Sequence, residues 1–267
     1  MAEPGQADGI VAAVFELAAA DGSGGWLAAA FRTAAYSVGK KAALGPESLI
    51  AKSFHGSGTF DKRAGLSGRW DSVVGAAQAG WLLLPVGSGQ QALIPRSAAR
   101  LEPVAGLTGL HAAGICDVTV SGARTDDVHV VEHSEDHEVL AGAAAAAAVV
   151  GSADGVLRTH VEQVRTRLAT SHAGDEVTDA AAAQVGWAAS DIDAARLQVA
   201  GSLTDTPANA ARAHQQAVAR ARDAADRLIA NTKHALDASD PVTALWRDVH
   251  AGCRLAARMF SAAHQAG

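Results

Sequence analysis

The 267-residue sequence predicts an α+β fold in three parts: short N-terminal helices over 1–45, a central antiparallel β-barrel or sandwich over 46–135, and an antiparallel four-helix bundle over 136–267. Three observations predict it. Three of the seven prolines fall between Pro85 and Pro103 and none between Val104 and Thr206. Proline breaks helix interiors and punctuates strands and turns, so the middle of the chain reads as β and the later part as α. Between Pro46 and Val131, short apolar runs such as SLIAKSF, WLLLPV and ALIP are cut by turn residues such as GSG and GSGQ, as strands are. After Val139, Leu157, Val161, Val164 and Leu168 recur at the spacing of one helical face.

The elements follow in order. GIVAAVFELAAA (9–20) and WLAAAFRTAAYSVGKKAAL (26–44) are alanine-rich and flank DGSGG, as two short helices around a flexible link would. They are too few to enclose a core alone. In the central part, Cys116, Val118 and Val120 alternate with Asp117, Thr119 and Ser121, the mark of a half-buried strand. About six such strands suggest a small barrel or sandwich. In the bundle, a second helix is expected from Asp175 to about Leu203. A third opens at Thr206-Pro207 and a fourth at Asp240-Pro241, each a capping residue followed by a proline whose missing N–H costs nothing there. The last helix carries Leu245, Val249, Cys253, Ala256 and Phe260 on its inner side. Flat small-residue helix faces also predict oligomerisation.

Composition excludes several functions. The formal charge is −6, from 22 basic and 28 acidic residues mixed along the chain, so no basic stripe exists to neutralise a phosphate backbone, and nucleic acid is not an expected partner. The apolar run Leu140 to Val150 is short of the ~20 residues that cross a bilayer. The acidic N-terminus and two distant cysteines, Cys116 and Cys253, predict a reduced, cytoplasmic protein. The chain has neither a complete G-x-G-x-x-G fingerprint nor a P-loop or G-x-S-x-G elbow.

Candidate sites remain. GRWDSVVGAAQAGWLLLPV (68–86) sets two of the five tryptophans, Trp70 and Trp81, around a small-residue saddle against which a ligand or another chain would lie. It reads as a β hairpin. HGSGT (55–59) is either a hairpin turn or a loop holding backbone amides open to an anion or a flat ring. His129, His133 and His137 recur every four residues, a zinc spacing if they share a helix, although Val128, Val130 and Val131 read as a strand end and favour an acidic linker. WRDVH (246–250) packs four kinds of functional group into one turn. His250 is the candidate general acid or base, and the alternative is an interhelical ion pair beneath a packed Trp246. Arg247 and Asp248 cannot pair with each other along the helix, so each is expected to find a partner on another element.

Several segments together resemble one family. SGGWLAAAF (23–31), PESLIAKSFHGSGTFDKRAGLSGRWDSVVGAAQAGWLLLPV, ALIPR, GLTGLHAAGICDVTVSGARTDDVHV and DPVTALWRDVH occur in the order and spacing of the acyl-CoA dehydrogenase superfamily. Within it they are most similar to the flavin-dependent monooxygenase branch with the second type of C-terminal helical domain. The resemblance implies a flavin, FAD or FMN, between the β domain and the bundle. It implies that Trp70 and Ser72 line the flavin ring, that Ser53, Gly56, Ser57 and Gly58 shape the flavin and acyl-thioester site, and that Arg165 or Arg167 reaches a flavin pyrophosphate, often across a subunit interface. The implied function is a flavin-dependent oxidoreductase, dehydrogenase or monooxygenase, acting on an acyl-CoA or similar small organic substrate as a homo- or hetero-oligomer with chains of the same family. The alternative is a non-catalytic or half-site subunit assembling with a full-length homologue, since about 45 residues precede the β domain and most of the family's N-terminal helical domain is expected to be missing. Val74 and Leu255 stand where the monooxygenase branch tends to have serine and histidine. The dehydrogenases' C-terminal base signature is not visible.

Overall fold

The computed structural model describes residues 5–39, 44, 48–87, 89–132, 134–170, 176–230, 237 and 239–265. Two helices, α1 (Gln6–Ala20) and α2 (Gly22–Val38), precede eight strands and four long helices. The DGSGG segment is not a flexible link. Asp21 accepts a hydrogen bond from the Ser23 amide and caps α2, whose first turn contains the glycines. Glycine is required there by close approach: side chains at Gly22 and Gly25 would strike Asp248 and Ala18.

The strands form two four-stranded sheets. One joins β1 (Ile50–Lys52), β4 (Trp81–Val86), β5 (Gln90–Pro95) and β8 (His129–Glu132) in the order β1-β4-β5-β8, with β1 and β4 parallel. The other joins β2 (Ser57–Asp61), β3 (Gly65–Val73), β6 (Arg100–Pro103) and β7 (Cys116–Ala123) in the order β2-β3-β7-β6, antiparallel throughout. The sheets pack face to face around Leu66, Trp70, Leu82, Leu84, Ile94 and Val118, so the β part is a sandwich with no closed barrel. Leu83 and Leu93 project from the other face of the first sheet against Ala34 and Val38 of α2. Burial on both faces explains why β4 reads WLLLPV rather than alternating. The expected hairpin across 68–86 does not form, because β3 and β4 lie in different sheets.

The bundle comprises α3 (Glu135–Thr170), α4 (Asp179–Ser202), α5 (Pro207–Ile229) and α6 (Pro241–Gln265). Thr178, Thr206 and Asp240 accept from the amides of Ala181, Asn209 and Val242 and open the last three. Asp175 lies outside the described residues. The alanine run of α3 is the centre of the molecule, with Ala143 to Val150 essentially inaccessible. An 18-residue stretch of α3 is long and apolar enough to cross a membrane by length and composition, but 89 % of it is buried inside the protein. Gly151 and Gly155 let α3 touch α1, since a methyl at either would meet the carbonyl of Phe15 or Ala19. Gly142 makes room for His214 of α5 in the same way.

Candidate functional site

A bulge in β3 creates the site. Trp70 pairs with Val118 and Val73 with Cys116, so Asp71 and Ser72 together face Asp117 alone, a two-against-one bulge that bends the strand. Ser72 takes φ 54°, in the left-handed region that costs a non-glycine residue energy. Two contacts hold it there. Its amide donates to Asp117 Oδ1 at 2.9 Å, and its hydroxyl accepts from Arg258 Nη1 of α6 at 2.9 Å. The second bond ties the β sandwich to the end of the bundle.

Beside this bulge lies a cleft of about 470 Å³, open solvent included, between the sandwich and α2, α3 and α6. Its walls are apolar: Ala29 and Ala30 of α2 face Ala141 and Ala145 of α3, with Leu255 and Met259 of α6 closing one side. Trp26 and Phe54 complete the apolar lining. Its edge is polar, formed by His55 after β1, by Asp71 and Ser72 on the bulge, and by Arg258. Asp71 is engaged by Arg69 Nε at 3.1 Å. His55 Nε2 is buried and has no hydrogen-bond partner among the described residues. Burial pushes its pKa below the ordinary value and the Arg258 guanidinium adds to this, while the Arg258 carbonyl and Asp71 oppose them. The net effect favours the uncharged imidazole.

The expected site residues divide. Ser72 lines the cleft, as do Val74 and Leu255. Trp70 does not: it is fully buried between the sheets, its indole N–H donating to the Pro85 carbonyl at 2.9 Å and its ring lying against Gly58 and Gly68. Alternation along β3 turns Trp70 inward while the bulge turns Ser72 outward. Ser53, Gly56, Ser57 and Gly58 shape the strand connection. The Ser53 hydroxyl donates to the His55 carbonyl at 2.7 Å. Gly56 has φ 100° and backs onto the Arg69–Trp70 backbone, and Ser57 is exposed and paired with Arg69. Arg165 and Arg167 lie twenty or more residues along α3 from Ala145, roughly 30 Å at 1.5 Å per residue, and Arg165 is exposed beside Glu162.

His250 lies away from the cleft. Its Nε2 is 2.7 Å from Asp226 Oδ1 of α5, the oxygen that also accepts from Trp246 Nε1 at 2.7 Å, and its ring tilts against the Trp246 indole. The contact is an interhelical hydrogen bond beside a tryptophan. Asp248 finds its partner on another element: Oδ1 accepts from the Leu110 amide at 2.6 Å and fixes that residue at φ 58°. His129 sits on β8 beside Trp81 and His137 on α3 beside Tyr36, so strand and helix separate them. His133 lies outside the described residues. His55 and Arg258 were not singled out from sequence. His55 stood inside the HGSG motif, where the glycines drew the attention, and Arg258 has no local motif.

Three comparisons with known proteins bear on the site. Residues 143–259 match the family model described as acyl-CoA dehydrogenase, C-terminal domain. The flavin-dependent monooxygenase oxygenase subunit HsaA of Mycobacterium tuberculosis is 27 % identical over 232 residues, which cover 70 % of this chain and 59 % of that protein. The chain thus spans less than two thirds of the length of that relative. Among solved structures, the 3-HSA hydroxylase of Rhodococcus sp. RHA1 superposes with TM-score 0.78 at 23 % identity, over 96 % of this chain and 82 % of that one. XiaF of Streptomyces sp., solved in complex with FADH2 and glycerol, superposes with TM-score 0.72 at 18 % identity, over 96 % and 81 %. At these identities the superpositions establish the fold.

Proposed function

We propose that this chain, whose residues 143–259 match the family model described as acyl-CoA dehydrogenase, C-terminal domain, and whose fold is that of the 3-HSA hydroxylase, is the oxygenase component of a flavin-dependent monooxygenase acting on a small, largely apolar organic molecule. The observation that carries the reading is the cleft itself: a mostly apolar space lined by alanines of two helices, edged by a strained serine, an arginine and a histidine. Those residues fit a flavin ring. Ala29, Ala30, Ala141 and Ala145 would lie against its faces, and the Ser72 hydroxyl would meet its polar edge. A bound reduced flavin would supply the activation of dioxygen, while the chain supplies orientation and a dry surrounding. The curated relative is itself an oxygenase subunit, so a separate reductase that delivers reduced flavin belongs to the proposal.

Oxygenation is favoured over dehydrogenation of an acyl-CoA by the residues at the cleft. Abstraction of a proton beside a carbonyl calls for a free carboxylate base. The carboxylate at this cleft is Asp71, and Arg69 engages it. Flavin pyrophosphate contact by Arg165 or Arg167 would have to come from another copy of the chain, which keeps an oligomer within the proposal.

The test mixes the purified chain with chemically reduced FAD or FMN in air-saturated buffer and follows reoxidation by absorbance. We expect the protein to change the reoxidation time course several-fold relative to free flavin. A time course identical to that of free flavin, with either cofactor, overturns the proposal.

A further inference from the structure

We propose that His55 and Arg258 form an oxyanion subsite at the polar edge of the cleft, which holds an apolar ligand by one carboxylate or ionised hydroxyl. The inference rests on the monooxygenase reading for the identity of the cleft, and it deepens that reading by naming what the ligand must present. His55 Nε2 is a buried nitrogen with no hydrogen-bond partner among the described residues, on a ring that lines a cleft whose walls are mostly apolar, Trp26 and Phe54 as well as alanine, valine, leucine and methionine. A buried polar atom left unpaired is costly, so an occupant of the cleft that satisfies it is favoured. Arg258 places a full positive charge beside the same opening. One of its five donors is anchored on Ser72 Oγ, and the guanidinium fork suits a carboxylate or a single oxyanion.

The two groups are complementary to one chemistry. Burial, and after it the Arg258 guanidinium, lowers the pKa of the ligand-free imidazole; a hydrogen bond to the Arg258 carbonyl and the Asp71 charge act in the opposite sense. An oxyanion placed between them cancels the influence of Arg258 and adds an attraction for the protonated ring. Binding therefore brings a proton onto Nε2. With a carboxylate ligand that proton comes from solvent. With an acidic hydroxyl the O–H bond breaks, its proton moves to Nε2, and the oxygen keeps the electron pair against Arg258. Both routes end in the same pair, an imidazolium and an oxyanion. A neutral ligand of the same shape gains neither term. Asp71 does not oppose the anion strongly, because Arg69 already engages its carboxylate.

The experiment uses the full chain without flavin, so that it is separate from the reoxidation test. Calorimetric titrations with benzoate, 4-nitrophenol and benzamide at pH 7.5 are run in two buffers of different ionisation enthalpy, which reports protons exchanged on binding. We expect benzoate to bind at least tenfold tighter than benzamide with net proton uptake. We expect 4-nitrophenol to bind as the phenolate, seen by its absorption, with uptake only as far as it was ionised beforehand. His55→Gln should abolish the proton uptake and weaken benzoate at least fivefold. In the wild-type protein, the His55 ring resonances should move to the imidazolium position on saturation with benzoate, a readout that needs no variant. Equal affinity for benzoate and benzamide, or benzoate binding that leaves the His55 resonances unmoved, overturns the proposal. If reduced flavin binds and benzoate does not, this inference fails and the monooxygenase reading stands.

Discussion

Single residues divide here into those that hold the frame and those that face the cleft, and Trp70 and His214 belong to the first group. Trp70 fills the space between the sheets over two glycines, with its N–H satisfied. Trp70→Ala should cost about 3–5 kcal/mol, the range for deleting a large core aromatic, and urea unfolding will measure it. Any loss of ligand binding should then track unfolding and vanish under conditions that restore the fold. His214 is buried in the bundle with its Nε2 2.8 Å from Ser202 Oγ, and burial lowers its pKa from 6.5 to about 4. Between those values the unfolded chain binds a proton that the folded chain does not, so stability is full above pH 6.5 and falls as pH drops toward 4. The difference is roughly 3 kcal/mol. Unfolding curves at pH 7 and pH 4.5 should show it. His214→Gln should flatten the dependence, although His55 and His160, also lowered by burial, will keep part of it.

Legibility in the sequence at this scale followed locality. Thr206-Pro207 and Asp240-Pro241 opened helices where expected because a cap and its proline are neighbours in the chain. His250 is expected to act as a general acid or base, and its hydrogen-bond partner, Asp226, could not be read from spacing because it lies on another helix. Arg258 meets Ser72 across 186 positions, a distance no spacing rule reaches. Ser72 stood two places after the conspicuous Trp70, yet only the bulge separates their roles by sending one inward and the other to the cleft.

Among the elements, α3 carries the most structure. Its exposed end shows the helical periodicity that was read from Leu157 to Leu168, whereas the part that matters most, the alanine run, has no polar face and hence no period. Such a helix is identified by what packs around it. Because Gly151 brings the backbones of α1 and α3 into contact, Gly151→Val must push the helices apart. The expected cost is about 1–3 kcal/mol, the usual range for overpacking, and a lowered urea midpoint with unchanged slope will register it. A comparable change at Gly186 on α4, where a side chain would meet open space, should leave stability nearly unaltered by the same measurement.

Across the whole molecule, the polar ties between the β part and the helices include Ser72 to Arg258, Leu110 to Asp248, Thr108 to Arg254 and Lys52 to Ser37, and the cleft lies beside the first. The α+β order was legible because proline placement and turn residues change with each part of the chain. The cleft was not, since it is assembled from α2, a strand bulge, α3 and α6, which are distant in sequence. Whether this cleft takes a flavin is decided by an anaerobic titration with reduced FAD or FMN, read by the fluorescence of Trp26 on the cleft wall. We expect saturable binding of one flavin per chain, weakened at least tenfold by Leu255→Trp, which fills the cleft. No saturable binding by the folded protein, or equal binding by the two proteins, would contradict it.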